Sequence, residues 1–171
     1  METSENIQLN TTAERLALYQ RQISSSVQTT QRHTMARDPI TCHVLNTLTG
    51  TPAANLPCTL TLLSGGAQSD SFTATTDSDG RIKAWETSVN NATTTTTSIL
   101  GALPAADSKT NWSIRFDVGP WFEAQGIESF WPEVEVKFTV RGRGVEGKDG
   151  WRHYHVPVLL GPWSYSTYRG S

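Results

Sequence analysis

Short segments in which apolar and polar residues alternate recur along most of this chain. Residues 112–118 place Trp, Ile, Phe and Val at every second position, and residues 134–140 do the same with Val, Val, Phe and Val. Such period-two runs are typical of half-buried antiparallel strands. Shorter strands are predicted at 41–48, 57–64, 71–76, 81–85 and 153–160, separated by turns rich in Gly, Pro or Asp. Roughly eight strands in all indicate an all-β sandwich of two sheets.

Two stretches interrupt this pattern. Pro120 suits the first position of a helix and Gly126 its C-terminal stop, so one short helix is predicted over 120–125. Residues 86–110, which contain five threonines in a row, show neither the strand nor the helix periodicity. A structureless loop of this length is uncommon inside a compact domain. We therefore expect a mobile Thr-rich insertion here, with no chemistry of its own.

The domain is predicted to span 38–171, after an N-terminal extension at 1–37 that is rich in Ser, Thr and Gln. That composition favours a disordered leader. Within it, Arg15-Leu16, five further residues and Gln22-Ile23 loosely resemble a type-two peroxisomal targeting signal, although Ile23 replaces the more usual Leu or Ala. The expected location is therefore the peroxisome or the cytoplasm.

Composition excludes several classes of function. The formal net charge is -2 and the 14 Lys and Arg are scattered, which argues against nucleic acid or a membrane surface as a partner. No apolar run approaches the roughly 20 residues that span a bilayer, and the first residues lack the apolar core of a secretory signal. The protein is expected not to be secreted. With only Cys42 and Cys58 in a protein that is not secreted, a disulfide framework is not expected.

The strand period decides which side chains share a face. On the segment 153–160, Tyr154, Val156, Val158 and Leu160 form the better core face, which leaves His153, His155, Pro157 and Leu159 outside. On the first strand, His43 shares the outer face with Leu45. An outer face that mixes His with apolar residues suits an oligomer interface or a sheltered cleft better than water.

The residue chemistry leaves alternatives open for these histidines. A strand histidine is commonly just a satisfied polar group. His153, His155 and His43 could also ligate zinc, but no Cys, Asp or Glu accompanies them, so no metal is expected. No Gly-x-Ser-x-Gly elbow, phosphate loop or dinucleotide fingerprint is present, and no cofactor is called for.

Four motifs resemble one known family. Residues 43–53 resemble the opening strand of transthyretin-like proteins, and the Thr-Asp-Ser-Asp-Gly-Arg run at 76–81 resembles their next marker. The His-Tyr-His-Val-Pro run at 153–157 and the Tyr-Ser-Thr-Tyr-Arg-Gly-Ser run at 165–171 look like the signature of one branch, the 5-hydroxyisourate hydrolases of purine catabolism. The resemblance covers the chain from Asp38 onward apart from the Thr-rich insertion.

This resemblance implies a fold and an assembly. The fold would be a transthyretin-like (prealbumin-like) sandwich of two four-stranded sheets with one short helix. The assembly would be a homotetramer whose sites lie in a channel between dimers. The reaction would be hydrolysis of 5-hydroxyisourate to 2-oxo-4-hydroxy-4-carboxy-5-ureidoimidazoline during urate degradation.

The resemblance also assigns site residues. The catalytic set is His43, Arg81, His155 and Ser171. The substrate-binding set is His43, Arg81, His155, Tyr168, Arg169 and Gly170. One histidine would activate water, because imidazole titrates near neutrality, and Arg81 would hold the substrate and its developing oxyanion. Arg169 could contact substrate or fix the tail through a salt bridge, and His153 is expected to have a supporting role.

The chain departs from the family pattern at Asn46, where Asp is usual, in the Gly-Pro-Trp turn at 161–163 and in the longer insertion. Asn46 should face the core, so the site should survive. Two other functions remain open: a non-catalytic channel protein that binds an aromatic small molecule, and an inactive structural homologue.

Overall fold

The structure is a computed structural model, and its described residues all lie in one unit of the chain, Arg37–Ser171. They are 38–64, 70–87, 94–142, 147 and 149–170. The expected extension at 1–37 with its targeting signal and the proposed site residue Ser171 lie outside these ranges, so both remain predictions.

The described part of the chain forms ten strands and two short helices. The strands are β1 (Ile40–Asn46), β2 (Thr51–Pro52), β3 (Pro57–Leu62), β4 (Ser71–Thr75), β5 (Arg81–Ile82), β6 (Glu86–Thr87), β7 (Lys109–Phe116), β8 (Val134–Arg141), β9 (Tyr154–Leu160) and β10 (Tyr165–Thr167). The helices are α1 (Thr96–Gly101) and α2 (Val118–Glu123). No helix in the described ranges has both the length and the apolar character needed to cross a membrane.

The strands form two sheets, which confirms the predicted all-β sandwich. One sheet has the order β10-β9-β1-β2, with β5 also paired to β1, and the other has the order β6-β4-β3-β7-β8. The predicted count of four strands per sheet was wrong, because each sheet has five among the residues described. The strands β2 and β6, which were not predicted, have two residues each and are too short for alternation to reveal, whereas β5 is the beginning of the strand predicted at 81–85.

The core lies between the two sheets and is built from the alternating apolar faces. Val44 of β1, Leu60 of β3 and Trp112 of β7 are fully buried. Cys42 and Cys58 lie in the same core, and their contact together with burial raises the pKa of the Cys58 thiol. Burial of these faces is the main stabilising contribution to such a sandwich.

The Thr-rich insertion is not structureless, which corrects two predictions: that this segment has no structure and that the domain has one helix. Thr95 caps α1, since its side chain accepts a hydrogen bond from the Ser98 amide while the Ser98 hydroxyl accepts one from the Thr95 amide. Thr96 and Leu100 of α1 are buried. A run of threonines has low helix propensity, so the pattern concealed a helix that reciprocal capping and packing stabilise. Residues 88–93 lie outside the described ranges.

The strand β1 is flanked by the elements that bear the candidate site. It pairs in parallel with β9, so that Thr41 is opposite His155, and antiparallel with β5, so that His43 is opposite Arg81. Three separate stretches of sequence therefore meet on one strand. The remaining candidate helix, predicted at 120–125, is found at Val118–Glu123 and is followed by Gly126 at φ +72°.

Candidate functional site

The histidines of β1 and β9 occupy the outer face of their sheet, as the alternation predicts. The alternate positions of both strands, including Val44 and Val158, face the core, while His43, His153 and His155 are half-buried. Leu159 on the same outer face is 39% exposed. The outer face thus combines imidazole groups with apolar side chains.

Four aromatic rings form a row along this face. The ring centroids of His43 and His155 are 6.5 Å apart, with an angle of 28° between the ring planes. His155 and His153 follow at 6.2 Å and 19°, and His153 and Trp151 at 6.5 Å and 15°. The row brings together two residues predicted for the site and extends it through His153, for which a supporting role was predicted.

Thr41 joins two of these histidines through one hydroxyl group. Its Oγ1 lies 2.9 Å from Nδ1 of His155 and 3.0 Å from Nε2 of His153. The side chain is almost completely buried, at 3% exposure. Both contacts are well within hydrogen-bond range, so the orientation of the His155 ring is set by a partner on the neighbouring strand.

Arg81 is brought to His43 by a tight turn. The carboxylate of Asp77 accepts hydrogen bonds of 2.9 Å from the amides of Asp79 and Arg81, which closes the turn. Gly80 then adopts φ +71° and its carbonyl accepts a 2.8 Å bond from the Val44 amide. A side chain at Gly80 would collide with the Val44 carbonyl oxygen, so glycine is required for this close approach.

The environment of His43 favours its neutral form. Burial is the largest cause and the cationic Arg81 the next, and together they lower the pKa of His43. A hydrogen bond to the Asp79 backbone and the carboxylates of Asp77 and Asp79 oppose this shift without reversing it. His43 is therefore neutral at pH values near 7 and able to accept a proton.

The C-terminal tail reaches the site through Gly170. Its amide donates a 2.9 Å hydrogen bond to the His155 carbonyl, and Gly170 is buried. A Cβ at this position would lie 2.7 Å from Cδ2 of His155. The Arg169 guanidinium lies 5.8 Å above the centre of the Tyr154 ring, a cation–π arrangement that can fix the tail, while Tyr168 is 59% exposed.

A largely apolar pocket of about 280 Å³ opens beside the tail. Its lining includes His155, Tyr168 and Arg169 together with residues of β8 such as Phe138. Neither His43 nor Arg81 lines it. His43 and Arg81 therefore meet outside this pocket, on the outer face of the sheet, whereas His155 lines the pocket and also faces His43.

Sequence reasoning missed Thr41 and Trp151. Thr41 shares the outer-face parity of His43, but its contact with His155 depends on the parallel pairing of β1 with β9, which the sequence does not specify. Asn46 is buried as predicted, and its Oδ1 accepts a 3.0 Å bond from the Leu48 amide. Within the described ranges, no three His, Cys, Asp or Glu residues are grouped so as to hold a metal ion.

Comparisons with known proteins show the family of the chain. Residues 40–170 match the model of the HIUase/Transthyretin family. The chain is 33% identical over 135 residues to the probable 5-hydroxyisourate hydrolase of Schizosaccharomyces pombe, with 77% of this chain and 90% of that protein covered. It is 34% identical over 135 residues to the 5-hydroxyisourate hydrolase of Mus musculus, with 78% and 95% covered. The structure of Klebsiella pneumoniae 5-hydroxyisourate hydrolase aligns at a TM-score of 0.51 and 26% identity, with 77% and 97% covered.

Proposed function

The chain belongs to the HIUase/Transthyretin family, and we propose that it hydrolyses 5-hydroxyisourate in the degradation of urate. The product is 2-oxo-4-hydroxy-4-carboxy-5-ureidoimidazoline. The observation that supports this most is the juxtaposition of two imidazole rings, 6.5 Å apart, with Arg81 directly across the strand pair from His43. Relatives named as 5-hydroxyisourate hydrolases align with this chain over most of their own length.

Ring opening at a lactam carbonyl requires a base, an oxyanion partner and a proton for the departing nitrogen. His43 and His155 divide the work of activating water and donating to the substrate. Arg81 presents a planar, permanently charged guanidinium that suits an oxygen-rich purine derivative and its oxyanion. No step of this scheme uses a cofactor or a metal.

The C-terminal residues complete the proposed site. Tyr168 contacts the substrate ring by stacking or hydrogen bonding, Gly170 permits the tail to lie against His155, and Ser171 orients the water or relays a proton. The position of Arg169 above Tyr154 supports its role in holding the tail, with substrate contact as its second role.

The functional assembly is a homotetramer with sites between dimers. The apolar groups on the outer face of the His-bearing sheet support this, since Leu159 is 39% exposed in the single chain. Large exposed apolar side chains of this kind suit an interface between copies. Light scattering during size-exclusion chromatography measures the mass directly, and a monomer would contradict the assembly.

The extension at 1–37 serves as a leader, and the location is the peroxisome or the cytoplasm. Support comes from the Arg15-Leu16 and Gln22-Ile23 pairs and from their spacing. Fluorescence imaging of the full chain, compared with a variant carrying Arg15→Ala and Leu16→Ala, distinguishes the two locations. Peroxisomal fluorescence that persists in the variant would rule out Arg15-Leu16 as part of a targeting signal.

The activity test follows the decay of 5-hydroxyisourate, made freshly by urate oxidase, through its ultraviolet absorbance. The wild-type protein should accelerate the decay in proportion to its concentration. His155→Ala should lower kcat by about 10²–10³, because the variant loses one of the two groups that activate water or donate to the substrate, while circular dichroism shows an unchanged fold. Decay at the spontaneous rate with folded wild-type protein, together with binding of an aromatic ligand, would indicate the non-catalytic channel protein.

A further inference from the structure

The hydroxyl of Thr41 is a buried polar group between two site histidines. It contacts Nδ1 of His155 at 2.9 Å and Nε2 of His153 at 3.0 Å, and the side chain is 3% exposed. Buried polar groups of this kind need satisfied hydrogen bonds. The hydrogen positions on the two rings are therefore coupled through one oxygen atom.

A hydroxyl donates one hydrogen bond and accepts up to two. If both facing ring nitrogens lacked a hydrogen, one of the two short contacts would join a pair of acceptors. At least one of the two nitrogens must carry a hydrogen. Three neutral arrangements satisfy both contacts: hydrogen bonds that run from His153 through Thr41 to His155, the reverse direction, and donation by both nitrogens to Oγ1 while the hydroxyl donates elsewhere.

The hydrogen-bond direction from His153 to His155 is the one that agrees with the chemistry of imidazole. A neutral imidazole carries its hydrogen on one nitrogen, and a histidine side chain in water favours Nε2. In this direction His153 donates from Nε2–H to Oγ1, and the Thr41 hydroxyl donates to Nδ1 of His155. Both rings then keep the favoured tautomer, whereas the reverse direction places both in the less favoured one and double donation places His155 in it.

We propose that Thr41, oriented by His153, is a positioning residue that holds neutral His155 as the Nε2–H tautomer, so that His155 donates a hydrogen bond in the reaction and His43 is the base. This inference rests on the proposed hydrolysis. It names two residues that act through His155 and divides the roles of the two histidines, which were not distinguished above.

The resulting reaction balances in protons. His43 takes a proton from water as the water oxygen bonds to the lactam carbonyl carbon, and the carbonyl oxygen becomes an oxyanion. His155 donates a hydrogen bond from Nε2–H to this oxyanion without losing its proton, beside the charge of Arg81. As the carbon–nitrogen bond breaks, His43 returns its proton to the ring nitrogen. The lowered pKa of His43 accords with a base that is neutral near pH 7.

Nitrogen-15 NMR of the imidazole rings reads the tautomer directly and needs no substrate. The chain has four histidines, so the spectrum is simple, and His155→Gln assigns the signals of His155. At about pH 8, above the ordinary histidine pKa, the wild-type protein should show Nδ1 of His155 without hydrogen and Nε2 with it. Thr41→Val should bring His155 into a mixture of tautomers, and Thr41→Ser should restore the wild-type pattern.

Kinetics then test the consequence. Thr41→Val should lower kcat about tenfold, the scale of one lost hydrogen bond, with little change in KM, and Thr41→Ser should recover most of the rate. Thr47→Val is the matched control, because the Thr47 hydroxyl donates its hydrogen bond to the Leu160 carbonyl and not to a histidine. His153→Phe keeps an aromatic ring beside Trp151 but removes the donor, and it should also lower kcat.

Three results overturn the proposal: hydrogen on Nδ1 of His155 in the wild-type protein, a wild-type kcat in folded Thr41→Val, or an unchanged kcat in His153→Phe if Thr41→Val does not fold. If the wild-type protein does not turn over 5-hydroxyisourate, the proposed function fails, and the NMR result still decides whether Thr41 sets the tautomer.

Discussion

The two parts of the candidate site are held in different ways. The β1–β5 corner, with His43 and Arg81, is part of the sheet. Two hydrogen bonds of 2.9 Å from backbone amides to the Asp77 carboxylate close its turn, and the Gly80 carbonyl accepts a hydrogen bond from β1. The described part of the C-terminal tail, residues 168–170, is attached by the bridge between Gly170 and His155 and by the Arg169–Tyr154 contact. The corner is therefore coupled to folding, whereas the tail can be displaced while the sandwich stays intact.

This difference separates stability from function. Changes at the corner should lower both the free energy of unfolding and the activity, because the same backbone contacts hold β5 against β1 and position Arg81. Changes in the tail should lower activity with little effect on unfolding, since Tyr168 and Arg169 are exposed and Arg169 contacts the core residue Tyr154 at the face of its ring. The comparison of unfolding with turnover in the same variants is thus the informative measurement.

The largest effect is expected for Gly80→Ala. The new Cβ would meet the Val44 carbonyl oxygen, and φ +71° disfavours alanine, so the free energy of unfolding should fall by roughly 2 kcal/mol or more and turnover should fall with it. Gly126→Ala is the matched control, since Gly126 has φ +72° but nothing within 4 Å of the added atom. Equal destabilisation of both variants in urea would show that the close approach at Gly80 is unimportant.

Gly170→Ala should separate activity from stability. Gly170 does not adopt a positive φ, but the added Cβ would lie 2.7 Å from Cδ2 of His155 and 3.0 Å from Cγ of Pro157. The tail should shift, with a loss of about tenfold in kcat/KM and a change in unfolding free energy within about 0.5 kcal/mol. A large loss of stability in the same urea experiment would mean that the tail belongs to the core and that the contrast with the corner is mistaken.

Arg81→Met should raise the pKa of His43. The positive charge of Arg81 helps to lower that pKa, so its removal makes protonation easier, and His43 should lose its proton at a higher pH than in the wild-type protein. An NMR titration of His43 measures this without requiring turnover. Lys83→Met removes a cation from the same turn, where Lys83 pairs with Asp77 at 2.8 Å, and it should not raise the pKa. An unshifted His43 in Arg81→Met would contradict the electrostatic coupling at the corner.

The smallest effect is expected for Asn46→Asp. Asn46 faces the core, away from the histidines, and its Oδ1 accepts the Leu48 amide, a bond that a carboxylate oxygen can also accept. Turnover should change less than about twofold. A large gain in kcat would show that the site senses the core side of β1, against the separation of the two faces.

The sequence was sufficient for the faces of the strands but not for their pairing. Alternation placed His43 and His155 outside and Asn46 inside because the side-chain period of a strand is two, whatever its neighbours are. The contact between Thr41 and His155 requires β1 and β9 to be parallel neighbours in one register, and such non-local pairing leaves no trace in either segment. Helix α1 was missed for a related reason, because packing of Leu100 outweighs the weak propensity of the threonines.

The parallel pairing of β1 with β9 also sets the order in which the protein can be assembled during synthesis. Thr41 and His155 are 114 positions apart, so β1 leaves the ribosome long before its parallel neighbour exists. Until then one long edge of β1 is unpaired, and the histidine row does not exist. Closure of this sheet is a long-range event, of the kind that slows folding and exposes strand edges. A nascent chain therefore acquires its candidate site in a late folding step, because β9 is synthesised after β1 and β5.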